Sequence, residues 1–194
     1  ADDILSASRQ IAARYCCSPK HNGLVEQIAL KIFDTVKKQN NLTRQERLLL
    51  QIATILHNCG AFINLNEVGE NSYKIVTSTE IIGISHKQRM IVAAIVRYTT
   101  GDFPQFAEMD DVFEKEDYIK IAKLNAILRL ADAMDRSHRQ KFRNVTIVCR
   151  NNTLYITGHT LYDITLEQGI FANSADFFEE VFGIQPLLKQ KKEF

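Results

Sequence analysis

Apolar residues recur at three- and four-residue intervals through the first two-thirds of the chain, then switch to every second position near residue 144. The first pattern predicts helices. Ile4, Ser8, Ile11, Ala12 and Tyr15 mark the first helix. Leu24, Ile28 and Ile32, with Val25, Ala29 and Val36, mark a second, for which Pro19 suits the first turn. Thr43 and Glu46 have the spacing of a capping box before Leu48, Leu49, Ile52, Ile55 and Leu56. This third helix is expected to carry His57 and Asn58 at its end, with Gly60 stopping it. A polar loop over 59–72 leads to a short helix near 72–82. Ser85 and Gln88 form a second capping-box signal, opening a helix through Met90, Ala93, Ala94, Val96 and Arg97. Residues 101–116 read as loop. A long amphipathic helix is expected over 117–137, with Ile121, Leu124, Ile127, Leu128, Ala131 and Met134 on its buried face.

The second pattern predicts strands. Val145, Ile147 and Cys149 alternate with polar residues, as do Leu154 and Ile156. Asn151-Asn152 between them suits a two-residue hairpin turn, because Asn tolerates positive φ. Tyr162, Ile164 and Leu166 suggest a third strand, 174–182 a helix stopped by Gly183, and Ile184 to Leu188 a fourth strand. The expected fold is thus mainly α: a helical domain over 1–142, then a small β-β-β-α-β module over 143–194. The charged tail, Lys189 to Phe194, is expected to fray.

Composition narrows the function classes without choosing one. The hydrophobic fraction of 45% and charged fraction of 24% describe an ordinary globular chain. A formal net charge of +1 gives no electrostatic case for nucleic acid or a membrane surface. No apolar run approaches the ~20 residues that span a bilayer. Cys16, Cys17, Cys59 and Cys149 form no C-x-x-C pair and lack zinc-cage spacing. They read as reduced thiols in a cytoplasmic protein. Phosphate loops of the G-x-x-x-x-G-K-[ST] type, G-x-S-x-G elbows and G-x-G-x-x-G turns are absent. The chain opens at Ala1 without a Met, which fits a piece of a longer protein.

The most informative letters are Leu56-His57-Asn58-Cys59-Gly60. His followed by Asp on a buried helix begins the metal site of many phosphohydrolases, in which a cation polarises the substrate and activates water. Here Asn58 stands in the Asp position. His21 and Asp132 are further candidate ligands. An amide carbonyl carries no charge and bridges two metals poorly. His21, His57 and Asp132 would leave at most a weak mononuclear site for Mn²⁺ or Mg²⁺, or a hydrogen-bonded polar cluster. Asp132 and Asp135 share a helix face, and Asp132 is preferred. Lys20, Arg97, Arg129, Arg136 and Arg139, with His138, form a candidate anion-binding set, since guanidinium forks match phosphate oxygens. Arg14 and Lys141 lie near them in sequence. His86 and His159 read as surface residues.

These segments resemble a known family. Ser18-Pro19-Lys20-His21, residues 56–60, 81–85 and 91–98, and above all Leu124 to His138, are similar to the C-terminal HD-like region of the exopolyphosphatase / guanosine pentaphosphate phosphohydrolase family. The resemblance covers about residues 2–188. It implies that the chemistry belongs to upstream actin-like, ATPase-fold domains, and that this region serves dimerisation and the holding of polyphosphate. Many relatives read His-Asp at 57–58, are His-rich where this chain has Glu70-Asn71-Ser72, and carry a His at the position of Thr99. The expected function is therefore a non-catalytic polyphosphate-binding and dimerisation domain with a degenerate HD site and no cofactor of its own. A mononuclear metal phosphohydrolase and a guanosine tetra- or pentaphosphate sensor are the alternatives.

Overall fold

The computed structural model describes residues 1–192. Two compact units divide the chain, one from residues 1–18 and 44–125, the other from 19–43 and 126–194. This differs from a division after residue 142, because the second helix and the end of the long helix group with the sheet.

The first unit is helical. It contains α1 (Asp2–Arg14), α3 (Arg44–Leu56), α4 (Val68–Ser78), α5 (His86–Arg97) and the first part of α6 (Lys115–Ala133). The apolar stripes become its core. Leu50, Ile52, Ala53 and Leu56 of α3 and Val92, Ala93, Ile95 and Val96 of α5 are all inaccessible to solvent. α3 packs against α1 and α5, and α4 against α5. The capping box at α5 forms as the sequence predicts. Gln88 N–H donates to Ser85 Oγ at 3.2 Å, and Ser85 N–H donates to Gln88 Oε1 at 2.7 Å. Asn125 on α6 donates its Nδ2 to the Ile95 carbonyl at 2.8 Å, so a buried amide ties α6 to α5. α4 begins at Val68, earlier than the expected 72, and stops at Ser78.

The second unit joins α2 (Pro19–Val36) and the end of α6 to β1 (Val145–Arg150), β2 (Thr153–His159), α7 (Thr165–Phe182) and β3 (Gln185–Lys191). β1 and β2 pair antiparallel, β2 and β3 parallel, in the order β1-β2-β3. Asn151 and Asn152 have φ of 50° and 56°, which supplies the hairpin turn expected of them. α2 packs against β1, and Lys31 Nζ donates to the Val145 carbonyl at 3.1 Å.

The small α+β module is present, but its third expected strand is not. Residues 162–164 pair with no strand, and α7 begins at Thr165, nine residues before the expected start at Ser174. The cause is visible in the burial. Ile164, Glu167, Phe171 and Phe178 are buried at intervals of three, four and seven, a helical period that three alternating apolar letters had masked. Asp163 Oδ1 accepts from Thr165 N–H at 3.0 Å and from its Oγ at 2.6 Å, which turns the chain into the helix. A parallel β2–β3 pair also requires a crossover of this length. Gly183, at φ 66°, closes α7 in the left-handed conformation that favours glycine. Lys189 to Lys191 belong to β3, where the sequence suggested a frayed tail. Glu193 and Phe194 lie outside the described residues. Among the described residues no helix is long and apolar enough to cross a membrane.

Candidate functional site

The second unit assembles a buried charged cluster around His21. His21 lies in the first turn of α2, two residues after Pro19, and is fully buried. α6 ends at Ala133 and tightens into successive three-residue turns. Asp135 N–H donates to the Asp132 carbonyl at 3.1 Å, and His138 N–H to the Asp135 carbonyl at 2.8 Å. The side chains of Asp132, Asp135 and His138, spaced by three, meet the His21 ring.

Asp135 Oδ2 lies 2.8 Å from His21 Nδ1, and Asp132 Oδ1 lies 3.3 Å from Nε2. His138 stacks on the ring, with centroids 3.7 Å apart and planes 4° from parallel. Arg136 Nη2 donates to Asp132 Oδ2 at 2.7 Å. Gln140 N–H donates to Asp135 Oδ1 at 2.7 Å and its Nε2 donates to Oδ2 at 3.2 Å, with the backbone of His138 and Gln140 at φ 55° and 50°. Burial by itself would lower the His21 pKa. The Asp132 and Asp135 carboxylates overcome it and push the ring from 6.5 up to about 9. At neutral pH His21 is thus an imidazolium between two carboxylates, with Arg136 balancing the second negative charge.

The first unit positions the other two predicted residues. α3 ends at Leu56, so His57 and Asn58 lie just past it and not within its last turn. His57 is buried, and its Nδ1–H donates to the Thr54 carbonyl at 2.7 Å. Ser72 Oγ donates to the His57 carbonyl at 2.9 Å and accepts from Gly60 N–H at 2.9 Å, clamping the turn. A Cβ at Gly60 would sit 2.1 Å from the Val68 carbonyl oxygen, so only glycine fits there. Asn58 is half-buried and precedes a 3₁₀ turn at Cys59–Phe62. The Cys59 thiol is pushed well above its ordinary range by its contact with Cys17 and by burial.

Residues 6–177 match the family model described as Ppx/GppA phosphatase, domain III. The chain belongs to the Ppx/GppA phosphatase family. No curated protein matches it. The match spans the His21 cluster, the His57 turn and both candidate basic segments, and within the family this is one domain among several.

The basic residues singled out in this Ppx/GppA domain fall into different settings. Lys20 and Arg139 are exposed, and so is most of His138. Arg139 lines an open cleft of about 650 Å³ with Ser137, Lys141, Tyr162, Asp163 and Leu166. Lys141 is tied back, donating to the Asp163 carbonyl at 2.7 Å and to Glu167 Oε2 at 3.1 Å. Arg129 lies over the Phe177 ring at 4.9 Å. Arg97, in the first unit, pairs with Glu70 at 2.8 Å and lies over Tyr73. His86 is exposed and His159 half-buried at the end of β2.

One residue of this arrangement, Glu167, escaped the sequence reading, and two others have fuller roles than it gave them. Asp135, named beside Asp132 on the same helix face, makes the shorter of the two contacts with His21. His138 is a stacking partner besides an exposed ring. Glu167 is a fully buried carboxylate that accepts from Ser137 Oγ and Lys141. For Asp135 and His138 a signal existed in the three-residue spacing that starts at Asp132.

Proposed function

We propose that this domain is a non-catalytic binder of phosphate polyanions, with polyphosphate as its ligand, in an exopolyphosphatase-like Ppx/GppA protein. The observation that carries the reading is the placement of two exposed cationic side chains, Lys20 and Arg139, beside a buried charge network. His21, Asp132, Asp135 and Arg136 pair with one another, while Lys20, His138 and Arg139, adjacent to them in sequence, are exposed residues. Arg139 further lines a cleft large enough for several phosphate groups. Phosphate release belongs, on this reading, to actin-like domains of the same protein, and the domain contributes to a homodimer.

Polyphosphate affinity of the wild-type chain should fall linearly on a log–log plot against salt, as for other polyanions. The double variant Lys20→Ala/Arg139→Ala should bind roughly tenfold or more weakly, with a salt slope smaller by about one per lost contact. Affinity independent of salt, or unchanged in the variant, would overturn the assignment.

A second reading, a mononuclear Mn²⁺ or Mg²⁺ site, is favoured by one observation. Asp135 holds His21 at Nδ1, which turns Nε2 towards Asp132 Oδ1. An outer carboxylate orienting a ligating imidazole is a common second layer of metal sites. His21 and Asp132 would be two donors, with His57 the third candidate from the sequence. Such an ion would supply Lewis-acid polarisation of a phosphoryl oxygen. The donors fit a cation only with His21 deprotonated, which from a pKa of about 9 costs about a hundredfold in affinity at pH 7. Calorimetry with Mn²⁺ on chelator-stripped protein decides between the readings. Micromolar binding that is lost in His57→Ala supports the metal site, and no binding above the millimolar range removes it.

A further inference from the structure

The sulfurs of Cys17 and Cys59, 42 positions apart in sequence, lie 3.3 Å from each other in the first unit. We propose that these two thiols are a reversible redox modification site, closed to an intramolecular disulfide by a small-molecule disulfide such as oxidised glutathione.

Both sulfurs come from fixed backbone. After α1 the chain turns through Cys16 at φ 54°, and Cys17 N–H donates to the Ala12 carbonyl at 3.0 Å. Tyr15 meets Phe62 edge-on, with centroids 5.9 Å apart, so aromatic contact holds the end of α1 to the turn that starts with Cys59. That turn is held in place by Gly60, whose surroundings leave no room for a Cβ. Exposure assigns the roles. Cys17 is half-buried and within reach of a reagent in solution, whereas Cys59 is buried beneath it. The other two cysteines lack this arrangement. Cys16 is exposed, and Cys149 lies 4.0 Å from Gln39 in the other unit.

The chemistry balances in two exchanges. The Cys17 thiolate attacks one sulfur of oxidised glutathione, forming a mixed disulfide and expelling one glutathione thiolate. With Cys17 in the mixed disulfide, the thiol contact that chiefly holds the Cys59 proton is gone; Cys59 gives its proton to solvent and its sulfur attacks Cys17 Sγ, forming the protein disulfide and expelling the second. Two cysteine thiols are oxidised, the reagent disulfide is reduced to two thiols, and the two protons pass through solvent to the leaving thiolates. The new bond lies one residue beyond Asn58, so it fastens the His57–Asn58 turn to the end of α1.

The test treats the whole chain with oxidised glutathione, then counts thiols and maps peptides under non-reducing conditions. Two of the four thiols should disappear. A single Cys17–Cys59 peptide should form, and dithiothreitol should return all four. The thermal midpoint should rise by roughly 5 to 10 °C, as expected for closing a loop of this length. Amide exchange over 57–62 should slow in the oxidised form. Cys16→Ser and Cys149→Ser should behave as wild type, and Cys17→Ser and Cys59→Ser should not form the link. Glutathione retained on Cys17, pairing through Cys16, or disulfides between molecules would each overturn the proposal. The peptide map of the wild-type chain decides it even if a variant does not fold.

Discussion

The buried His21 network makes the fold pH-dependent in a direction that can be worked out. The ring titrates at about 9 in the folded chain, against 6.5 for an unperturbed histidine. A folded-state pKa above the unfolded one means that the native state holds its proton more tightly. That contribution is complete below pH 6.5 and is lost as pH rises through about 9. The rise from 6.5 to about 9, at about 1.4 kcal/mol for each pH unit, comes to about 3–4 kcal/mol. His21 is fully buried, so solvent screening does not reduce the figure. The assay is urea unfolding of chelator-treated protein between pH 6 and pH 10, followed by far-ultraviolet circular dichroism. Asp135→Asn serves as the comparison. Its amide oxygen can still accept from Gln140 N–H, so the local turn survives, but His21 keeps only Asp132. The pH-dependent loss should then fall by more than half, because burial still opposes the proton in full while only one of the two carboxylates remains. Comparing the two proteins cancels other groups that titrate in this range. An NMR titration of the His21 ring reads the same quantity directly. Parallel stability curves for the two proteins, or a ring that titrates at or below 6.5, would refute the reasoning.

Three further outcomes are expected. Gly60→Ala forces a Cβ against the Val68 carbonyl oxygen and the Ser72 nitrogen, and should lower stability by about 2–4 kcal/mol in urea unfolding, as overpacking against backbone does. Ser85→Ala removes the Oγ that accepts from Gln88 N–H, while its backbone N–H still donates to Gln88 Oε1, and should cost about 1 kcal/mol by the same measurement. Asn152→Gly relieves a left-handed residue at φ 56° and should raise the thermal midpoint by about 1–2 °C, since Asn tolerates this conformation at only a small penalty.

Local signals carried most of the fold. The stripes of α1, α2, α3 and α5, the Ser85–Gln88 box and the Asn151-Asn152 turn all appear where side-chain period and turn chemistry require them. What the sequence obscured depends on distance along the chain. Ile164 and Leu166 look like alternating strand letters until Phe171 and Phe178 are seen buried on the same face, which only packing reveals. The parallel partner of β2 arrives after an intervening helix, and no local pattern encodes that pairing. At the site, His21 and Asp132 were found from motif letters. Asp135 entered because the chain continues to turn tightly beyond α6, so a residue outside the helix still reaches the ring. No local pattern marked Glu167, because its partners, the Ser137 hydroxyl and the Lys141 ammonium, lie 30 and 26 positions earlier.

The way the two units share the chain has a consequence for synthesis. α2 belongs with β1, yet the whole of α3, α4 and α5 lies between them in sequence. At ~5–20 residues per second, the ribosome needs on the order of ten seconds after completing Val36 before Val145 emerges. For that interval α2, whose Ile28, Ile32 and Phe33 end inaccessible to solvent, has no β1 to pack against. Slowed elongation over 37–144 should lengthen the interval in which α2 waits for β1, and with it the time an apolar helix face stays open to wrong contacts.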